Sequence, residues 1–346
     1  MSFDFDAAVH VPHRMQPGLR RLAPGAAQLT PAVVPNRGSA RHLREKLAVL
    51  WAFRDQALLQ VPGFDAGPAL QALARHAAAE HPQALQIDGG SWRAPWLGWA
   101  LDADDRPQDI VTGWPEIGTL LREMPAGWRR AALLSLAFAE DFALLDGTTG
   151  TLPWLAVALP SMWAPEEKIG RPFAEVHAPV ADNRLIVGAA PQLVKLVTGG
   201  MAPETPAASP PQGGVGPLGR FGGTDRWERF VWTLTAHPRL HGHPRRVDPA
   251  RWPPGLGDDE LAAQTWWRTE RQTFIPVAHD GGPRQAVFTI KVDVTPLATA
   301  FETAAQAARV HDALASMSDA VLAYRGLTQA QAPLLRWLAR RAAALP

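Results

Sequence analysis

The chain contains no cysteine. Disulfides, thiolate zinc sites, thiol nucleophiles and cysteine-ligated iron–sulfur clusters are therefore excluded. It has a single tyrosine, Tyr324, against 14 tryptophans. Most indoles at that density serve core packing, and a few can wall a flat cofactor pocket. Excess charge is also lacking, since 34 Lys+Arg against 33 Asp+Glu leaves +1; nothing global argues for nucleic acid or an anionic membrane as partner. No apolar run approaches the roughly 18 residues that a membrane span needs. The opening Met1-Ser2-Phe3-Asp4-Phe5-Asp6 lacks the basic and apolar regions of a signal peptide, so a cytoplasmic location is expected. Glycine-rich dinucleotide and phosphate-binding fingerprints and the Gly-x-Ser-x-Gly elbow are absent.

What is present reads as an α+β chain. Residues 1–38, rich in proline and glycine, suit an extended arm, and Ser39 is positioned to cap a first helix. Leu43, Leu47, Leu50, Trp51 and Leu58 fall at helical spacing. Further helices are predicted over 68–79, 116–124, from Pro125 onward with Leu133 to Phe138 in its body, over 185–198, and at 296–315 and 328–345. Leu155 to Leu159 suits a buried strand, and the runs 229–235, 268–275 and 286–294 alternate as strands. No helices separate those last strands, which favours a mostly antiparallel sheet. Residues 199–224 are mostly Gly, Pro, Ala and Ser, the composition of a mobile loop. The expected organisation is one unit, 1–346, with a helical N-terminal part to about 125.

Four elements carry candidate chemistry. His177, in Glu175-Val176-His177-Ala178-Pro179-Val180, stands in apolar surroundings that favour a neutral imidazole; it is either a metal ligand or a core histidine bonded to a backbone carbonyl. In Arg268-Thr269-Glu270-Arg271-Gln272-Thr273, alternating charges on a strand either grip a carboxylate in a pocket or pair on a solvated face. Glu140-Asp141, read as the end of an apolar helix, could do acid–base work or cap a neighbour. His237, His241 and His243 invite a zinc reading, but intervening prolines and a glycine forbid the helical face of an i, i+4 pair. An exposed basic loop is the expectation there.

The order of short motifs is more specific than any one of them. Glu140-Asp141-Phe142-Ala143-Leu144-Leu145, Pro160-Ser161-Met162-Trp163, Lys168-Ile169-Gly170-Arg171-Pro172, His177-Ala178-Pro179-Val180, Arg229-Phe230-Val231-Trp232, Glu270-Arg271-Gln272-Thr273, Val287-Phe288-Thr289-Ile290-Lys291 and Tyr324-Arg325-Gly326-Leu327 follow one another. Together, over about residues 10–340, they resemble the alpha subunit of the haem-dependent oxidative N-demethylases. The resemblance implies a PAS-like antiparallel sheet with flanking helices at both termini, holding b-type haem (haem b). It implies a monooxygenase-type oxidation of a small amine with dioxygen, and a reductase partner carrying flavin and an iron–sulfur centre. It makes His177 the axial ligand of the haem iron. Lys168, Arg229 and Arg271 become candidates to meet the haem carboxylates, with Trp232 beside them. Lacking cysteine, the chain cannot ligate haem through a thiolate; His, Met or Tyr324 must serve. Val231 departs from the family pattern, which carries asparagine before the tryptophan, so the substrate is expected to be larger or less polar than dimethylamine. A haem-binding sensor or carrier without turnover, or a haem-free scaffold, are the competing expectations.

Overall fold

Three long segments with partial alternation make the middle of the central sheet. A computed structural model describes residues 3–36, 39–111, 113–199, 226–248, 252–277 and 284–344. Its strands are β1 (Arg20–Arg21), β2 (Leu58–Gln60), β3 (Gln86–Asp88), β4 (Ser91–Ala94), β5 (Trp99–Leu101), β6 (Pro107–Asp109), β7 (Asp141–Asp146), β8 (Trp154–Ala156), β9 (Trp227–Thr235), β10 (Trp266–Val277) and β11 (Gln285–Pro296). The large sheet runs β1-β9-β10-β11-β7-β8-β2, with every neighbouring pair antiparallel. Numbered along the chain, its five central strands lie in the order 2-1-5-4-3, with a helical crossover between the second and third. The sheet is PAS-like and the class is α+β, as expected.

The helices are α1 (Phe5–Ala8), α2 (Arg41–Ala52), α3 (Arg54–Ala57), α4 (Gly67–Glu80), α5 (Pro115–Glu123), α6 (Ala126–Ala137), α7 (Phe173–His177), α8 (Arg184–Gly188), α9 (Ala190–Val197), α10 (Asp258–Ala263), α11 (Ala304–Ala315), α12 (Asp319–Tyr324) and α13 (Gln331–Ala344). One face of the sheet buries Phe142, Leu144, Ile275 and Val287 with Leu70 and Leu73 of α4 and Leu133 of α6. Toward β9 the same face carries Phe230, Trp232, Leu234 and Trp267, sealed by Val310, Leu314, Leu334 and Leu338 of α11 and α13. The opposite face, with Ala143, Leu145, Leu155 and Phe274, takes Val194 and Val197 of α9. That second face holds the site.

Three readings change. The first helix starts at Arg41 with Ala40 at its N-cap and no side-chain cap, so Ser39 does not cap it; the helix stops at Phe53 (φ −143°) and restarts as α3 rather than continuing to Leu58. Glu140-Asp141 do not end a helix. The helix finishes at Ala137, and Asp141–Asp146 is a strand buried on both faces at the sheet's centre. Such a strand reads as a continuous apolar run and shows no alternation. The N-terminal part is not only helical, because β3 to β6 form a second, four-stranded antiparallel sheet. The 199–224 stretch lies outside the described residues except for Gly199.

Candidate functional site

Pairing decides which strand residues meet. Opposed residues of an antiparallel pair share a face, so Glu270 lies with Val231 on one side and Val292 on the other. Gln272 likewise lies with Arg229 and Ile290, and Phe274 with Trp227 and Phe288. The crossover 157–199 roofs this face. Between sheet and roof is a cavity of about 220 Å³, walled by Leu145, Leu155, Trp163, Phe173, Phe274, Phe288 and Ile290, among others. Polar groups reach it from Lys168, His177, Arg229, Arg268, Glu270, Gln272, Tyr324 and Arg325.

His177 is the last residue of α7. Gly170 (φ +71°) turns the chain into that helix, a left-handed conformation that costs a β-carbon-bearing residue but not glycine. The imidazole Nδ1 meets the Phe173 carbonyl oxygen at 2.9 Å. A carbonyl only accepts, so Nδ1 carries the proton and Nε2 is left as the ligating nitrogen. The Phe173 ring lies 4.2 Å from the imidazole, and Asn183 donates to the carbonyls of His177 and Ala178. Burial pushes the His177 pKa down to about 4; the Phe173 bond opposes that, while Arg229 and Lys168 add to it. A neutral imidazole whose second nitrogen is pinned by a carbonyl is the ordinary arrangement of a metal ligand. The carbonyl bond that the sequence left open is present, and it is compatible with either reading.

The cations divide by their partners. Arg268 is 1% exposed and is spent on protein acceptors: the Ser161 hydroxyl (2.7 Å) and the carbonyls of Arg239 (2.9 Å), Pro160 (3.2 Å) and Leu240 (2.6 Å). Burial lowers its pKa to about 10. Arg325 donates to the Trp232 carbonyl at 2.6 Å and, weakly, to the Met15 sulfur at 3.5 Å. Lys168 donates to the Val176 carbonyl at 3.0 Å, and burial lowers its pKa. Arg229 has no hydrogen bond or ion pair among the described residues, and burial lowers its pKa against the opposing charge of Glu270.

Of the expected site residues, His177, Lys168, Arg229 and Trp232 all border the cavity. Trp232 does so with its indole turned away, stacked 4.8 Å from Trp267 on the other face of the sheet. Arg271 is not brought there, which corrects its assignment to the cofactor. It lies one residue out of phase with the cavity face and grips Glu228 with two bonds of 3.0 and 2.9 Å, while donating to the Ala27 carbonyl. Its partner Glu228 also takes Arg20, so the pair ties the N-terminal arm to the back of the sheet. The residues that do face the cavity from β10 are Arg268, Glu270 and Gln272. The strand's own alternation, phased against Arg229 and Val231, was the signal that separates them from Arg271. The histidine loop is also corrected. His241 and His243 are buried, against the Ala158 carbonyl and Glu166 respectively, while Arg239 and Arg245 stay exposed.

Among the described residues no group of three or more His, Asp or Glu is placed to hold a metal ion. A single imidazole suits a metal that arrives with its other ligands, as haem iron does. Haem brings two carboxylates as well, and among the described residues neither Lys168 nor Arg229 has a carboxylate within ion-pair distance. Aromatic walls, one neutral imidazole and these two cations fit that group. Residues 218–335 match the model of a family described as haem-dependent oxidative N-demethylase, alpha subunit-like. It is the family that the ordered motifs resemble, and the matched stretch carries β9, β10, β11 and α10 to α12. No curated protein matches the chain. No helix among the described residues is long and apolar enough to cross a membrane.

Proposed function

We propose that this protein is a haem-dependent oxidoreductase that oxidatively demethylates a small amine, with dioxygen as oxidant and electrons supplied from outside the chain. One observation carries the reading: among the described residues one imidazole, neutral through burial and pinned at Nδ1, stands on an aromatic-lined cavity beside two cations, Lys168 and Arg229, that have no carboxylate within ion-pair distance. His177 would hold the iron through Nε2, and Lys168 and Arg229 would meet the haem carboxylates, with Arg229 the better placed for a two-pronged grip. Haem b, when bound, supplies the redox-active iron at which dioxygen is reduced and the amine oxidised. The chain's residues do the remaining work. Phe173 fixes the imidazole tautomer, and the walls around Leu155, Phe274, Phe288 and Ile290 exclude water and strengthen every charge interaction inside. Lacking cysteine, the chain holds no cysteine-ligated cluster. The electron donor is therefore another protein, for which a reductase with flavin and an iron–sulfur centre is the kind implied by the family.

The test is spectroscopic. Haem-reconstituted protein should show a Soret band, and His177→Ala should shift or abolish it while the apoprotein's far-UV spectrum stays unchanged. Haem bound identically by the variant removes His177 as ligand; no haem binding by the parent protein removes the reading.

A further inference from the structure

Among the described residues, Glu270 is the only carboxylate on the cavity wall. One oxygen accepts from the Gln272 side-chain amide at 2.6 Å. No cation lies within ion-pair distance of it among the described residues, although Arg229, Arg268 and Arg325 all feel its charge. Arg268 and Arg325 are engaged by backbone carbonyls, and Arg229 answers to the haem carboxylates in the reading above. Glu270 thus reaches the cavity oriented by Gln272 and without a counter-ion. Its neighbours across the sheet, Val231 and Val292, are apolar and offer it no hydrogen bond. Trp163, Phe274, Phe288 and Tyr324 complete a wall rich in aromatic rings. A single carboxylate among aromatic faces is the chemistry that recognises an alkylammonium: the carboxylate accepts the N–H bonds and the rings face the charged methyl groups.

We propose that Glu270 is the substrate-positioning residue, binding the ammonium group of an alkylamine whose apolar part lies against Val231 and Ile290. The inference rests on the function proposed above for the chemical class of the substrate, but not on haem for its test. Val231, apolar and directly opposite Glu270, offers no competing hydrogen-bond donor beside it.

Calorimetric titration of the protein as purified with trimethylammonium chloride, and with uncharged tert-butanol of similar shape, separates charge recognition from apolar filling. The ammonium should bind and the alcohol should bind far more weakly. Glu270→Gln, which keeps an acceptor for Gln272, should weaken the ammonium by about 10-fold or more and leave the alcohol unchanged; Glu270→Asp should recover part of the loss. Equal binding of ammonium by parent and Glu270→Gln protein overturns the proposal, as does absence of ammonium binding by the parent. A Soret band that persists alongside either result leaves the haem reading standing, so the two fail separately.

Discussion

If His177 is the iron ligand proposed above, protonation of its ring decides when the site can hold haem. The ordinary imidazole pKa is 6.5, and burial takes that of His177 to about 4. Its neutral, ligating form therefore persists through the whole window between those values, where an exposed histidine would be charged. Haem affinity is expected to stay level as pH falls below 6.5 and to collapse only as it approaches about 4, which a Soret titration at fixed haem concentration would reveal; a midpoint near 6.5 would contradict the depressed value. Arg268 offers a contrasting case. It is only 1% exposed, yet its guanidinium serves three carbonyls and a hydroxyl rather than a ligand. Arg268→Leu removes the donor and strands those acceptors, a loss of about 3 kcal/mol in urea unfolding. Sequence alone could name both residues as candidates but could not separate their roles. An arginine on an alternating strand reads the same whether its partners are backbone carbonyls from distant loops or a cofactor's carboxylates.

At the scale of elements, legibility followed length and periodicity. β9, β10 and β11 were visible because 9 to 12 residues of alternation leave little ambiguity. β3 to β6 span three or four residues each, too few to show a period. β7 was hidden because both its faces are covered, and its two acidic residues looked like a helix terminus. In fact Asp141 meets Lys46 at 3.2 Å and takes the Leu159 amide, a buried pair that joins α2 to the sheet. The small sheet meets α5 at Gly118, where an added Cβ would come within 2.0 Å of the Trp99 ring. Trp99 cannot swing aside freely, because its indole N–H donates to the Trp114 carbonyl at 2.8 Å. In an open helix Gly→Ala gains up to about 1 kcal/mol, while overpacking costs about 1–3 kcal/mol. Overpacking should win here, so Gly118→Ala is expected to lower the urea midpoint; an increase would show that the indole can move.

For the whole molecule, the division of labour between segments matters more than any one contact. The family match at 218–335 covers three strands and most of the C-terminal helices, but the cavity's other wall comes from Ala143, Leu145 and Leu155 and its roof from residues 161–186. A fragment beginning at 218 loses β7 and so exposes the hydrogen-bonding edge of β11. Expressed alone, 218–346 is expected to aggregate or to bind no haem, and the full chain is expected to bind it; a soluble fragment with a native Soret band would mean that the site is assembled without His177. The motifs were legible in order along the chain. Their distances were not, because sheet pairing brings together residues such as Ala143 and Phe288 that lie far apart in sequence.

The cavity's floor is strand, and most of its roof is the described part of the crossover after β8, residues 157–199. Hydrogen-bond register constrains the floor, where an inserted residue would flip every side chain beyond it to the other face. The crossover has no such constraint, and it holds the imidazole, Lys168 and the aromatic ring of Phe173 in one continuous stretch. Exchanging that stretch between related chains would therefore transplant the proposed iron ligand and the pocket ceiling in one cassette, leaving Glu270, the proposed substrate contact, behind on the floor.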